Sequence, residues 1–139
     1  LYRALVNTGL ASAVTGGLVP TQQPFLYTIS ITATDGTPLR TVEDAVLAEL
    51  DRVRVEGVTP QEVVRAQNQL RARLVFENDS ITNIAHQLGY FETIGGWQTV
   101  ETLRDRIDAV TRDEVATSAA ARLSASNRTV GWFEPEPAS

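Results

Sequence analysis

A period of two runs through residues 25–33, with Phe25, Tyr27, Ile29, Ile31 and Ala33 on one parity and Leu26, Thr28, Ser30 and Thr32 on the other. That period marks a strand with unlike faces, and Asp35-Gly36 closes it. Ala13 to Val19 predicts its partner strand, weakened by Gly16-Gly17 and ended by Pro20, with a polar connection to Pro24. Beyond the hairpin the period becomes helical. Val42, Ala45, Val46, Leu50 and Val53 recur on one face of a first helix, while Glu43, Asp44, Glu49, Asp51, Arg52 and Arg54 lie elsewhere. Gln61 to Glu77 predicts a second helix carrying Val64, Leu70, Leu74 and Val75. Asn78-Asp79-Ser80 interrupts it, and Ile81, Ile84, Ala85, Leu88 and Phe91 resume the period up to Gly95-Gly96. Val100, Leu103, Ile107 and Val110 line the next helix. The last helix is rich in small residues (Ala116, Ala119, Ala120, Ala121), which would let it lie close on a neighbour. Thr129 to Phe133 predicts a short final strand before the Glu134-Pro135-Glu136-Pro137 tail.

Two corners share a local grammar. Val58-Thr59-Pro60-Gln61-Glu62-Val63 and Val110-Thr111-Arg112-Asp113-Glu114-Val115 each place Thr at a helix N-cap and Glu three residues on. The Thr hydroxyl can accept from the backbone N–H three residues later while the Glu carboxylate reaches back to the N–H of the cap, the reciprocal capping box. Pro60 in the first turn and Gly57 just past the preceding helix sharpen the first corner. The paired phrases Thr41-Val42-Glu43 and Thr99-Val100-Glu101 are read as two unrelated helix starts rather than as a true repeat. Strands and helices kept in separate runs predict an α+β domain, with an antiparallel or mixed sheet covered on one face by helices. Residues 1–139 are read as one partial domain, with 134–139 as a tail.

Composition narrows the chemistry. The chain has no Cys, no Met and no Lys; its twelve cationic side chains are all Arg, and His86 is the sole histidine. Thiol nucleophiles, Schiff-base lysines and any two-histidine metal site are thereby excluded from these 139 residues. A net charge of −5 and a pI near 4.8 argue against a nucleic-acid or anionic-membrane partner. No apolar run approaches the roughly 18 residues of a spanning helix. The chain opens at Leu1 inside an apolar-periodic stretch without an initiator Met, so we expect a piece of a longer polypeptide lacking the N-terminal part of its domain. The compartment stays open between exported (periplasmic) and cytoplasmic.

Candidate side chains are few. His86 has Thr82 and Tyr90 at helical spacing and Glu92 nearby, with Glu77 and Asp79 before the break; one imidazole among loose carboxylates reads as a structural or surface histidine, since zinc takes three or four convergent ligands. The remaining acids sit at helix starts and on polar faces, where solvation and the helix dipole account for them. Tyr90, Phe91 and Trp97 beside Gly95-Gly96 suit core or interface filling better than a peptide-binding patch. Asn78-Asp79-Ser80 and Asn127-Arg128-Thr129 match a glycosylation sequon and nothing else supports their use.

Thr8-Gly9-Leu10-Ala11-Ser12, the hairpin, the two capped corners and Arg128-Thr129-Val130-Gly131 stand in an order and spacing that resemble the C-terminal part of a domain of the pitrilysin/insulinase family of zinc metallopeptidases. The resemblance implies a clamshell of homologous α+β domains around a peptide-digesting chamber, this chain being a non-catalytic one. The family's His-x-x-Glu-His zinc motif is absent here, so zinc is expected only in another domain of the parent, and no catalytic, cofactor or metal residue is assigned to this chain. A sister domain of the family supplies an Arg and a Tyr seven residues apart to substrate; the matching positions here hold Leu5 and Ser12, and Arg3 faces away from the Leu5 position. The expected partners are other domains or subunits of the same peptidase-like protein and a peptide substrate, without nucleic acid or membrane insertion. The expected contact is the edge strand, through Phe25, Tyr27 and Ile29, with Ser12 beside them, because an extended peptide can add to an open edge through main-chain hydrogen bonds. Two other readings are carried: a scaffold subunit of a parent without peptidase activity, and an unrelated α+β binding module.

Overall fold

The computed structural model describes residues 1–23, 25–77 and 80–134. Along them run α1 (Tyr2–Leu5), β1 (Ala11–Leu18), β2 (Tyr27–Ala33), α2 (Leu39–Glu56), α3 (Pro60–Glu77), α4 (Ile81–Ile94), α5 (Gln98–Ala109), α6 (Arg112–Arg122) and a 3-10 turn at Ala125–Asn127. The class is α+β: a two-stranded antiparallel sheet, with the helices in a separate run. Residues 78, 79, 24 and 135–139 lie outside the described residues, and with them Asn78 of the first sequon, the Asp79 carboxylate and all of the 134–139 segment but Glu134. Contacts divide the chain into two units. The first holds Leu1–Thr15, Ile29–Glu56 and Thr117–Ser139; the second holds Gly16–Thr28 and Gly57–Ala116.

In the first unit the helical stripe of α2 meets the base of the hairpin. Leu5, Ala11, Val42 and Val46 form the buried cluster, and Leu10, Val14, Ile31, Ala33, Ala45 and Leu50 pack around it. The α2 face is the one its periodicity predicts, and the period of two in β2 holds, with Ile29, Ile31 and Ala33 on the covered side. Burying a Val or Leu side chain contributes about 1.5–3 kcal/mol, so this small cluster carries much of the unit's stability. Entry to β1 is a hydrogen-bonded turn: Thr8 Oγ1 donates to the carbonyl of Ala4 at 2.7 Å, and the Gly9 N–H donates to Val6 at 3.0 Å. Thr34 N–H then donates to the Leu10 carbonyl at 3.0 Å and ties the far end of β2 to the start of β1.

The predicted final strand does not form. Residues 129–133 carry no strand assignment, although Arg128 is extended at φ −137° and ψ 139°. Extended dihedrals are a local property, whereas a strand also needs a free neighbouring edge. Here the segment is held by a side chain, with Trp132 Nε1 donating to Glu43 Oε2 of α2 at 3.1 Å.

In the second unit both capping boxes form. Glu62 N–H donates to Thr59 Oγ1 at 3.2 Å while Thr59 N–H donates to the Glu62 carboxylate at 2.8 Å, and Thr111 with Glu114 repeats the pair at 3.3 and 2.8 Å. Gly57 closes α2 at φ +74°, a conformation that a side chain would strain. The bonds from Thr111, backbone first and hydroxyl second, hold the Glu114 carboxyl below its ordinary value of 4.5. A lowered folded-state value means that the contact stabilises fully above the unfolded value and is lost as pH falls through the lowered one. Glu114→Gln is therefore expected to flatten the acid side of the stability profile below about pH 4.5, read as urea midpoint against pH. An unchanged acid slope would remove this role.

The apolar residues that α3 carries do not share one covered face. Val64, Leu70 and Val75 are exposed, and the covered side holds Val63, Gln67, Arg71 and Leu74. Polar groups at the end of α5 decide this. Gln67 Nε2 lies 3.1, 3.2 and 3.1 Å from the carbonyl oxygens of Ile107, Asp108 and Val110 at the end of α5, where the Ile107 carbonyl also accepts from the Val110 N–H at 3.2 Å. Arg71 Nε donates to Asp108 Oδ1 one turn further along. The α4 stripe is also largely uncovered: Phe91 is half-buried, whereas Ile81, Ile84 and Leu88 are exposed.

Candidate functional site

The end of the hairpin is where apolar side chains, free backbone and a fixed loop come together in the second unit. The predicted strand from Phe25 begins at Tyr27 instead, because the partner strand runs out. Thr28 Oγ1 donates to the Gly17 carbonyl at 3.3 Å, β1 ends at Leu18, and Pro20 two residues on has no N–H to offer a ladder. Phe25 and Tyr27 are 65% and 60% exposed, and Leu18, Val19 and Leu26 beside them are exposed as well. Sequence reading passed over Leu18 and Val19; two apolar residues directly before a proline were the available signal.

Tyr27 owes its position to a missing side chain. A Cβ on Gly16 would lie 2.7 Å from the Tyr27 hydroxyl oxygen, so the phenol reaches over β1 through the space that the glycine leaves. The loop is held from a second element. The Tyr90 hydroxyl, on α4, donates to the Pro20 carbonyl. Tyr90 also meets Phe91 edge to face, with ring centroids 5.7 Å apart and an interplanar angle of 79°.

The other candidate positions separate by environment. Ser12 is exposed and its hydroxyl donates to the Thr32 carbonyl at 3.2 Å, across the sheet. Ile29 is half-buried on the same side of β2 as Ile31 and Ala33, so its side chain is turned toward covered ground. Leu5, at the position that the family resemblance aligns with a substrate-binding arginine, is 0% exposed. Arg3 and Tyr2 are exposed on α1.

His86 is exposed on α4. Glu92 is taken up elsewhere, accepting from the Trp97 backbone N–H at 3.0 Å. Among the described residues no three His, Asp or Glu side chains are close enough together to hold a metal ion. No helix among them is long and apolar enough to cross a membrane. What the hairpin end can offer a ligand is backbone from an open sheet edge and the apolar faces of Phe25 and Tyr27.

Residues 1–70 match the family model described as the peptidase M16 inactive domain. Among solved structures, the inactive peptidase domain of a protein assigned as a zinc protease from Bordetella parapertussis superposes with a TM-score of 0.86 at 27% identity, covering 99% of this chain and 75% of that one. A protein assigned as a zinc protease from Bordetella pertussis Tohama I gives 0.83 at 27% identity, covering 96% and 74%. A protease from Helicobacter pylori shares the fold at a TM-score of 0.75 and 11% identity, over 84% of this chain and 28% of that one. No curated protein matches the sequence.

Proposed function

Because the chain belongs to the peptidase M16 family, through its inactive domain, we propose that it is a non-catalytic part of a zinc protease-like protein and presents the end of its hairpin to a peptide substrate within a chamber closed by partner domains. The reaction belongs to another part of the parent, where zinc would be held. An unrelated α+β binding module is set aside by the family match. The single observation that carries the reading is the exposed pair Phe25 and Tyr27 beside a sheet edge, in a chain without Cys or Lys and with one histidine.

An extended peptide pairing with such an edge gains main-chain hydrogen bonds whatever its sequence, and exposed aromatic rings add apolar contact. That combination suits a wall that handles many peptides without reacting with them. In contrast, the aligned arginine position is filled by Leu5 in the core, so the oxyanion assistance that a sister domain gives has no counterpart at that position.

Photo-crosslinking tests the reading. A benzophenone amino acid replacing Tyr27 is expected to capture a synthetic disordered peptide containing Val and Leu several-fold more efficiently than the same probe replacing Thr102, an exposed residue of α5. Equal yields at the two positions would defeat the proposal and favour a scaffold that does not touch substrate.

A further inference from the structure

We infer that Tyr90 is a positioning residue for the hairpin end, its hydroxyl fastening the loop after β1 so that Phe25 and Tyr27 are presented in one arrangement; the inference rests on the peptide-contact reading above. β1 ends at Leu18 and Pro20 follows within two residues. Past that point the ladder to β2 has stopped, so the backbone carbonyls of the loop find no strand donors. The Tyr90 hydroxyl donates to the carbonyl of Pro20 and satisfies one of them from a different element.

The donor is itself well placed. Tyr90 lies inside α4, a helix of fourteen residues that starts at a Ser80 cap, where Ser80 Oγ accepts from the Asn83 N–H at 3.1 Å. Its ring is braced edge to face by Phe91, which is half-buried. The only other side-chain bond described within residues 19–23 is local, from Thr21 Oγ1 to the Gln23 carbonyl, and a contact two residues away cannot fix the loop against the rest of the unit. The loop therefore takes its position from two fastenings of different kinds. Tyr27 sits over Gly16 on the strand side, and Tyr90 holds Pro20 on the helix side. Loop order matters for binding because a floppy contact surface must be ordered at the moment of association, and fixing it beforehand removes that penalty.

Tyr90→Phe removes the hydroxyl and keeps the ring, the helix and the Phe91 contact. In the full chain, backbone amides of residues 18–23 and 25–27 are expected to exchange with deuterium about five-fold faster, the weight of one neutral hydrogen bond, with the thermal midpoint unchanged. Cross-linking of the disordered peptide from a benzophenone probe at Phe25 is expected to fall by a similar factor. Joining Pro20→Cys to Tyr90→Cys with a short bifunctional thiol reagent, in a chain that has no other cysteine, is expected to restore both readouts. A purely structural role for Tyr90 would lower the midpoint and would not be rescued by the tether. Unchanged exchange in Tyr90→Phe overturns the fastening itself. Faster exchange with unchanged cross-linking overturns the link to presentation. Faster exchange where the unsubstituted chain captures no peptide at all overturns the peptide reading and leaves the fastening standing.

Discussion

Leu5→Ala is expected to lower the unfolding free energy by about 3 kcal/mol, within the 2–5 kcal/mol found when a buried leucine is emptied. Leu5 is 0% exposed and belongs to a cluster with three other buried members, Ala11, Val42 and Val46. A core this small has few neighbours able to close over the space left behind, which pushes the cost upward. Urea denaturation measures it, with Leu5→Met as the volume-conserving comparison, expected to cost less than about 1.5 kcal/mol. A loss under 1 kcal/mol for the alanine variant would mean that the cluster does not hold the first unit together. The same burial carries a functional consequence. Leu5→Arg would place an unpaired cation in apolar surroundings and is expected to unfold the unit before it could help any substrate.

Gln67→Leu is expected to cost about 1–3 kcal/mol, the range for leaving hydrogen-bonding groups without a partner. The substitution keeps the side chain's bulk but removes the donor that the carbonyls of Ile107, Asp108 and Val110 share. Part of the site is open to water, which can take over some of these acceptors, so the lower half of the range is favoured. Arg71→Ala should cost less, since the Arg71–Asp108 pair is more than one third exposed on both sides and exposed ion pairs contribute about 0–1 kcal/mol. The two residues serve the same end of α5, so their effects should not add, and the double variant in the same denaturation experiment reads the coupling. A neutral Gln67→Leu would show that α3 is held on α5 by apolar contact alone.

Much of the architecture was legible along the chain because its signals are local. The alternation in residues 27–33, the α2 stripe from Val42 to Leu50 and both capping boxes depend on side chains a few residues apart, and all formed as their spacing predicts. The readings that failed needed a partner that spacing cannot name. The apolar Val64, Leu70 and Val75 of α3 are exposed, and the face turned to α5 is the one bearing Gln67, whose amide can serve helix-end carbonyls that a methyl group cannot. Residues 129–133 have the composition of a strand and no neighbouring strand to pair with among the described residues.

The candidate site divides in the same way. Phe25 and Tyr27 could be singled out from alternation, whereas their different backbone settings depend on where β1 stops. Ile29 shares their parity and is turned to the covered side further down the strand. Tyr90 stood out only as one of a group of aromatics near Gly95-Gly96; its bond to Pro20 joins residues seventy apart and leaves no trace in local spacing.

By itself the sequence determined the inventory and the local order: one histidine, no cysteine or lysine, a hairpin followed by capped helices, and hence the absence of the zinc motif from these residues. Tertiary structure decided which side of α3 is covered, that Leu5 fills the core, and that the hairpin loop is fastened to α4. Composition and short-range periodicity are properties of neighbouring residues, while burial and long-range hydrogen bonds exist only once distant segments meet and water is displaced between them.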